Sequence, residues 1–172
     1  MINKILIFLI LAAVLMFTGC INESNISTST TPAPTPKIFV SGPSDPTLFN
    51  IGESTSDGLT RFTLNSVRYT SYNNSRYLIT DITVENISPN RSRSYGIIWH
   101  FKVFDSEGYT YNPGFSDETI ISKPFSGADM FPGDKRRGEI AFKVPDSVKG
   151  LKFRFMWDPL NNKDGVTFKL ID

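Results

Sequence analysis

From Phe49 onward, apolar residues recur at every second position, and the runs they form are broken by Gly, Asn, Asp and Pro. A period of two is the signature of a half-buried strand, because successive side chains point to opposite faces. Leu78, Thr80, Ile82 and Val84 alternate with Asp81, Thr83 and Glu85; Gly138, Ile140, Phe142 and Val144 alternate with Glu139, Ala141 and Lys143. Leu151, Phe153, Phe155 and Trp157 form a third such set, and Trp99, Phe101 and Val103 a fourth. A run opening with Phe62 and Leu64 slips phase at Ser66 and Val67, which predicts a bulge. A last strand spans 166–171, after the turn Asn161-Asn162-Lys163-Asp164-Gly165. No window carries the three-and-four spacing of a real helix, and only short helical turns near 117–121 and 146–149 are expected.

Seven to eight short strands in about 125 residues predict an all-β chain, an antiparallel β-sandwich of immunoglobulin-like architecture. The chain has one cysteine, so the disulfide of antibody domains is absent and the core must hold by apolar packing.

That cysteine, Cys20, follows a leader with Lys4, an apolar run from Ile5 to Phe17 and then small residues. This is the order of an export signal. The run is too short to cross a bilayer, which takes roughly 20 residues. Phe17-Thr18-Gly19-Cys20 resembles the lipobox of prokaryotic lipoproteins, departing from it at Phe17 where leucine is usual. The resemblance implies cleavage before Cys20 and a lipid on its thiol, and the competing reading is an uncleaved signal anchor. The predicted organisation is a signal peptide at 1–19, a lipid-bearing Ser/Thr/Pro-rich linker at 20–46 and one sandwich domain at 47–172. The linker centres on Thr31-Pro32-Ala33-Pro34-Thr35-Pro36 and holds too few large apolar residues for a core. At about 3.1 Å per residue in the polyproline conformation it would act as a stalk, with the membrane as one partner through the lipid on Cys20.

Removing the leader takes away Lys4 alone, so 18 basic residues become 17 against 17 acidic ones. A neutral exported chain gives no expectation of a nucleic-acid partner. Asn-x-Ser/Thr triplets at Asn22, Asn25, Asn73, Asn86 and Asn90 are candidate glycan acceptors on exposed loops.

Several segments stand in order: Phe62-Thr63-Leu64-Asn65-Ser66-Val67, Tyr77 to Asn86, Val103-Phe104-Asp105-Ser106-Glu107-Gly108-Tyr109, Phe131-Pro132-Gly133-Asp134-Lys135 and Phe142-Lys143-Val144-Pro145. Together they resemble domain-of-unknown-function family 4352 from about Phe49 to Asp172. The resemblance implies an immunoglobulin-like sandwich of the kind found in bacterial and archaeal lipoproteins and secreted proteins, and brings no catalytic residues. Independently of it, Asp105 to Gly108 reads as a hairpin turn and Pro132-Gly133-Asp134 as another, while Pro145 ends a strand.

Reactive groups are few. His100 is the only histidine; alternating with Trp99 and Phe101, it is expected opposite them, beside Lys102 on the solvent side. Neither His-x-x-x-His, Cys-x-x-Cys nor Gly-x-Ser-x-Gly occurs, so no metal, cofactor or catalysis is expected. Asp105 with Glu107, and Asp117 with Glu118, lack the spacing of a calcium loop and read as solvated turns. Lys135-Arg136-Arg137 reads as a device that blunts a strand against edge pairing. Phe115, Phe125, Met130 and Phe131 fall in the long irregular stretch 112–132, either as an apolar seal under the loop or as an exposed patch for a protein or glycan partner. Tyr69, Tyr72, Tyr77, Tyr95, Tyr109 and Tyr111 are strand residues that could also stack on sugars. The leading expectation is a lipid-anchored extracytoplasmic binding or adhesion module. An envelope enzyme or metal-handling protein using His100 with loop carboxylates, and a purely structural envelope component, are the alternatives.

Overall fold

The computed structural model describes residues 37–38 (backbone), 48–114, 118–160 and 164–170, all within the compact unit 33–172. The leader, Cys20, Asn22, Asn25 and Phe115 lie outside the described residues. Two five-stranded sheets face each other. The first contains β1 (Lys37–Ile38), β3 (Ser54–Ser56), β4 (Thr60–Tyr72), β5 (Ser75–Asn86) and β10 (Lys135–Val144), in the order β1-β3-β4-β5-β10. The second contains β2 (Leu48–Phe49), β7 (Phe101–Phe104), β8 (Thr110–Tyr111), β11 (Lys152–Met156) and β12 (Gly165–Lys169), in the order β2-β12-β11-β7-β8. A two-stranded ribbon, β6 (Arg93–Ser94) with β9 (Asp129–Met130), lies apart from both. The architecture is the expected sandwich, with more strands than predicted because several are only two residues long. Pairing is antiparallel throughout except where β1 joins β3 and β2 joins β12. The expected stalk therefore contributes Lys37–Ile38 to a sheet.

The alternating residues meet between the sheets. Phe62, Leu64, Leu78, Ile82, Val84 and Phe142 come from the first, Phe101, Val103, Phe153, Phe155 and Phe168 from the second, all buried. Phe62 stacks on Phe155 at 4.3 Å between ring centroids and also touches Phe101, Phe153 and Phe168. Each fully buried ring of this kind stabilises the fold by about 1.5–3 kcal/mol, enough to replace a disulfide. The bulge falls where the phase slip placed it, with a register shift between Leu64 and Ser66. Before it the even-numbered Phe62 and Leu64 point inward; after it the odd-numbered Val67 and Tyr69 pack on the core.

The stretch after β8 is a strap. Pro113 bridges Phe142 and Pro124 bridges Glu139, so backbone on both sides of the 3₁₀ turn Glu118–Ile120 pairs with β10. Ile120 and Ile121 cover Tyr77, Ile79 and Ala141 on the outer face of the first sheet. Glu139 anchors the crossing by accepting from the Ser122 amide and hydroxyl and from Arg68. Burial works to raise the Glu139 pKa, but the Ser122 amide, its hydroxyl and Arg68 outweigh it and hold the carboxyl below its ordinary value. Phe125 then turns into the core, 5.6 Å from Phe101, and closes the flank between the sheets.

Candidate functional site

Two turns from distant parts of the sequence meet at one end of the sandwich. Antiparallel pairing of β7 with β11 sets Phe104 opposite Lys152, so the turn after Phe104 lies against the turn before Lys152. The Ser106 hydroxyl donates to the Lys149 carbonyl at 3.5 Å. Gly108, at φ +90, permits the first turn. Its geometry is fixed by Asp105: one carboxylate oxygen accepts from the Glu107 and Tyr109 amides, and the other accepts from the Tyr111 hydroxyl at 2.8 Å. Asp105 is thus buried and engaged within the turn, not offered to a cation.

This pair of groups has a defined electrostatic state. Burial raises the Asp105 pKa, but the Tyr111 hydroxyl and the Tyr109 and Glu107 amides together hold the carboxyl below its ordinary value. The Asp105 carboxylate, with burial second, pushes Tyr111 up to about 12. Tyr111 therefore keeps its proton to higher pH in the folded chain than in the unfolded chain, which releases it near 10. The stability it contributes is complete below pH 10 and lost between pH 10 and about 12. Tyr111→Phe is expected to lower the melting temperature at pH 7 and to narrow that deficit steadily above pH 10, as followed by circular dichroism.

Between the turns lies an open cleft of about 660 Å³, lined by Tyr109, Tyr111, Pro145, Val148 and Lys149 among others. A second hollow of about 320 Å³ adjoins it through Tyr111 and Pro145, with Asn74, Arg76 and Lys143 on its far side. Tyr109 is 64% exposed, with its ring free of the core. The Arg76 guanidinium lies 4.0 Å from the centre of the Tyr69 ring and donates to the Asp146 carbonyl, pinning the rim. Tyr109 and Tyr111 stood among the expected tyrosines, but their meeting with 145–149 depends on sheet register. No local motif signals it.

The other expected sites are rearranged. Phe125 and Met130 are buried core residues, so the reading of 112–132 as an exposed partner-binding patch is corrected for both, and the apolar seal is what forms. Phe131 alone of the described three is exposed, at 64%. His100 is not on the solvent side. A single helical turn, α1 (Ile97–His100), interrupts the alternation, burying His100 to 7% exposure and turning Trp99 out to 66%. The His100 ring stacks near Phe155 and meets the edge of Tyr95, with Nδ1 3.1 Å from the Gly96 carbonyl oxygen. Burial pulls its pKa down, so it is a neutral packing residue.

Asn86 is likewise no acceptor for a glycan. It is fully buried, and its Nδ2 donates to the Arg91 and Met130 carbonyls at 2.8 and 2.9 Å. Asn73 and Asn90 are exposed, Asn73 in a left-handed turn with Asn74. Arg137 in the basic triplet pairs with Asp81, and Arg136 donates to the Ser126 and Asp129 carbonyls, so these two fasten the strap and sheet. Among the described residues no three His, Cys, Asp or Glu side chains converge to hold a metal, and no helix is long and apolar enough to cross a membrane.

Residues 49–165 match the family model described as a domain of unknown function, DUF4352. The chain belongs to the DUF4352 family. The match spans the strands from β2 to the start of β12, including both turns of the cleft. Among solved structures, this DUF4352 chain is similar to the yjhA protein of Bacillus subtilis, at 25% identity and a TM-score of 0.55, covering 72% of this chain and 100% of that one. The secreted protein MPT63 of Mycobacterium tuberculosis shares the fold at 13% identity and a TM-score of 0.55, covering 73% and 98%. So does ycdA of Bacillus subtilis, provisionally classed as a lipoprotein, at 15% identity and a TM-score of 0.53, covering 68% of this chain and 38% of that one. No curated protein gives a significant match.

Proposed function

We propose that the chain is a lipid-anchored binding module displayed outside the cytoplasm, attached through Cys20 and presenting the cleft between 105–111 and 145–149 to an envelope partner. The observation that carries the binding reading is the cleft itself: a concave surface built by two turns, with an exposed aromatic ring in its wall. Loops at one end of a sandwich are where such scaffolds carry recognition. Support for location comes from the leader, the Phe17-Thr18-Gly19-Cys20 motif and the secreted or lipoprotein character of the structural neighbours. No reaction is assigned, and the buried, stacked position of His100 gives the enzymatic alternative no support.

The anchor has a direct test. Cells expressing the intact chain, fed a radiolabelled lipid precursor, are expected to yield a labelled protein in the membrane fraction. The Cys20→Ala form is expected to lose the label completely. Undiminished labelling of Cys20→Ala would overturn the anchoring.

A further inference from the structure

The composition of the cleft narrows its ligand, and this step rests on the binding reading above. Its walls combine apolar faces with short polar groups. Tyr109, Tyr111, Pro145 and Val148 supply the first; Ser106, Thr110 and Ser147 supply the second. The charges along the cleft and its adjoining hollow balance, with Lys149, Arg76 and Lys143 against Asp105, Glu107 and Asp146. A polyanion would meet no excess of positive charge there, and Arg76 is already committed to Tyr69 and Asp146. Nor does the cleft offer the deep apolar socket that a hydrophobic anchor of a protein partner fills.

A pyranose ring has complementary needs. Its axial C–H bonds form an apolar face that lies on an aromatic ring, and its hydroxyls around the edge both donate and accept hydrogen bonds. Tyr109 offers such a ring at 64% exposure, and no hydrogen bond within the described residues holds its hydroxyl. The Thr110 and Ser147 hydroxyls can donate or accept as a sugar hydroxyl requires, while Ser106, which donates to Lys149, can still accept. Two hollows joined end to end across Tyr111 and Pro145 suit consecutive units of a chain better than one compact molecule. We propose that this cleft binds a segment of an uncharged, hydroxyl-rich saccharide chain of the cell envelope, with Tyr109 as the stacking platform.

The test uses the full chain carrying Cys20→Ala, so that retention reports the cleft and not the lipid. The probe is detergent-extracted envelopes of the producing cell, left untreated, digested with protease, or oxidised with periodate, which cleaves vicinal diols. Retention is expected to survive protease and to be lost after periodate. Adding Tyr109→Ala is expected to weaken it about tenfold, while Tyr109→Trp, which keeps a ring at the site, retains it. Retention that depends on Tyr109 but is abolished by protease and not by periodate would overturn the saccharide and leave a protein-binding module. Retention indifferent to Tyr109, or none at all, would overturn both readings of the cleft.

Discussion

Asn86→Ala is expected to lower the unfolding free energy by about 3 kcal/mol, through two orphaned backbone groups. The Asn86 side chain donates to the Arg91 and Met130 carbonyls, and its oxygen accepts from the Ser88 amide and hydroxyl. The single Ser88 hydroxyl proton has the Arg91 carbonyl as its other acceptor within reach, so after the substitution that carbonyl keeps a partner. The Met130 carbonyl and the Ser88 amide do not: each loses its side-chain partner in a buried setting. A buried group left unsatisfied costs about 1–3 kcal/mol, against a total stability of about 5–15. Urea unfolding should therefore show a lower midpoint with an unchanged slope. Asn86→Asp should be worse at neutral pH, because a carboxylate would face two carbonyl oxygens, and should recover partly on acidification. A midpoint within error of the parent would mean that water or rearrangement satisfies both groups.

Gly138→Val should have a similar cost by prising off the strap. A Cβ at this position of β10 would sit 2.5 Å from the Phe125 Cα and 2.7 Å from its nitrogen, both backbone atoms that cannot swing aside. Relief requires the strap to move outward, which breaks the bonds from the Phe125 amide to the Glu139 carbonyl and from the Glu139 amide to the Lys123 carbonyl. It also withdraws the Phe125 ring from Phe101. Loss of that burial and those bonds comes to about 3 kcal/mol. Limited proteolysis should cut between 112 and 132 in the variant and spare the parent, and hydrogen exchange at Phe125 and Glu139 should accelerate. Equal resistance to protease would show that the close approach is not what seats the strap.

These two sites mark the limit of what the sequence reveals. Strands with one inward face are legible because a single interaction decides them: β5, β10 and β11 bury the alternating residues that their period selects. The bulge is legible for the same reason, since an inserted residue must invert the alternation. Trp99 and His100 are not, because the run Ile97, Ile98, Trp99 satisfies both periods over so few residues. The Gly96 carbonyl, accepting from the Trp99 and His100 amides, tips it into a helical turn that exchanges which ring faces inward. Asn86 in an Asn-x-Ser triplet reads as a surface acceptor, and only the return of Met130 beside it explains its burial. The cleft is hidden for a similar reason, being made by the register of β7 on β11 across the 47 residues between Phe104 and Lys152.

A sheet edge with free amides and carbonyls invites the same edge of another molecule. The strap occupies that position on β10: the Gly114 and Phe125 amides donate to the Ala141 and Glu139 carbonyls, and the Lys123 carbonyl accepts from the Glu139 amide, so those edge groups are already taken. The first sheet is thereby closed to strand addition along β10, and a second copy meets no free ladder there.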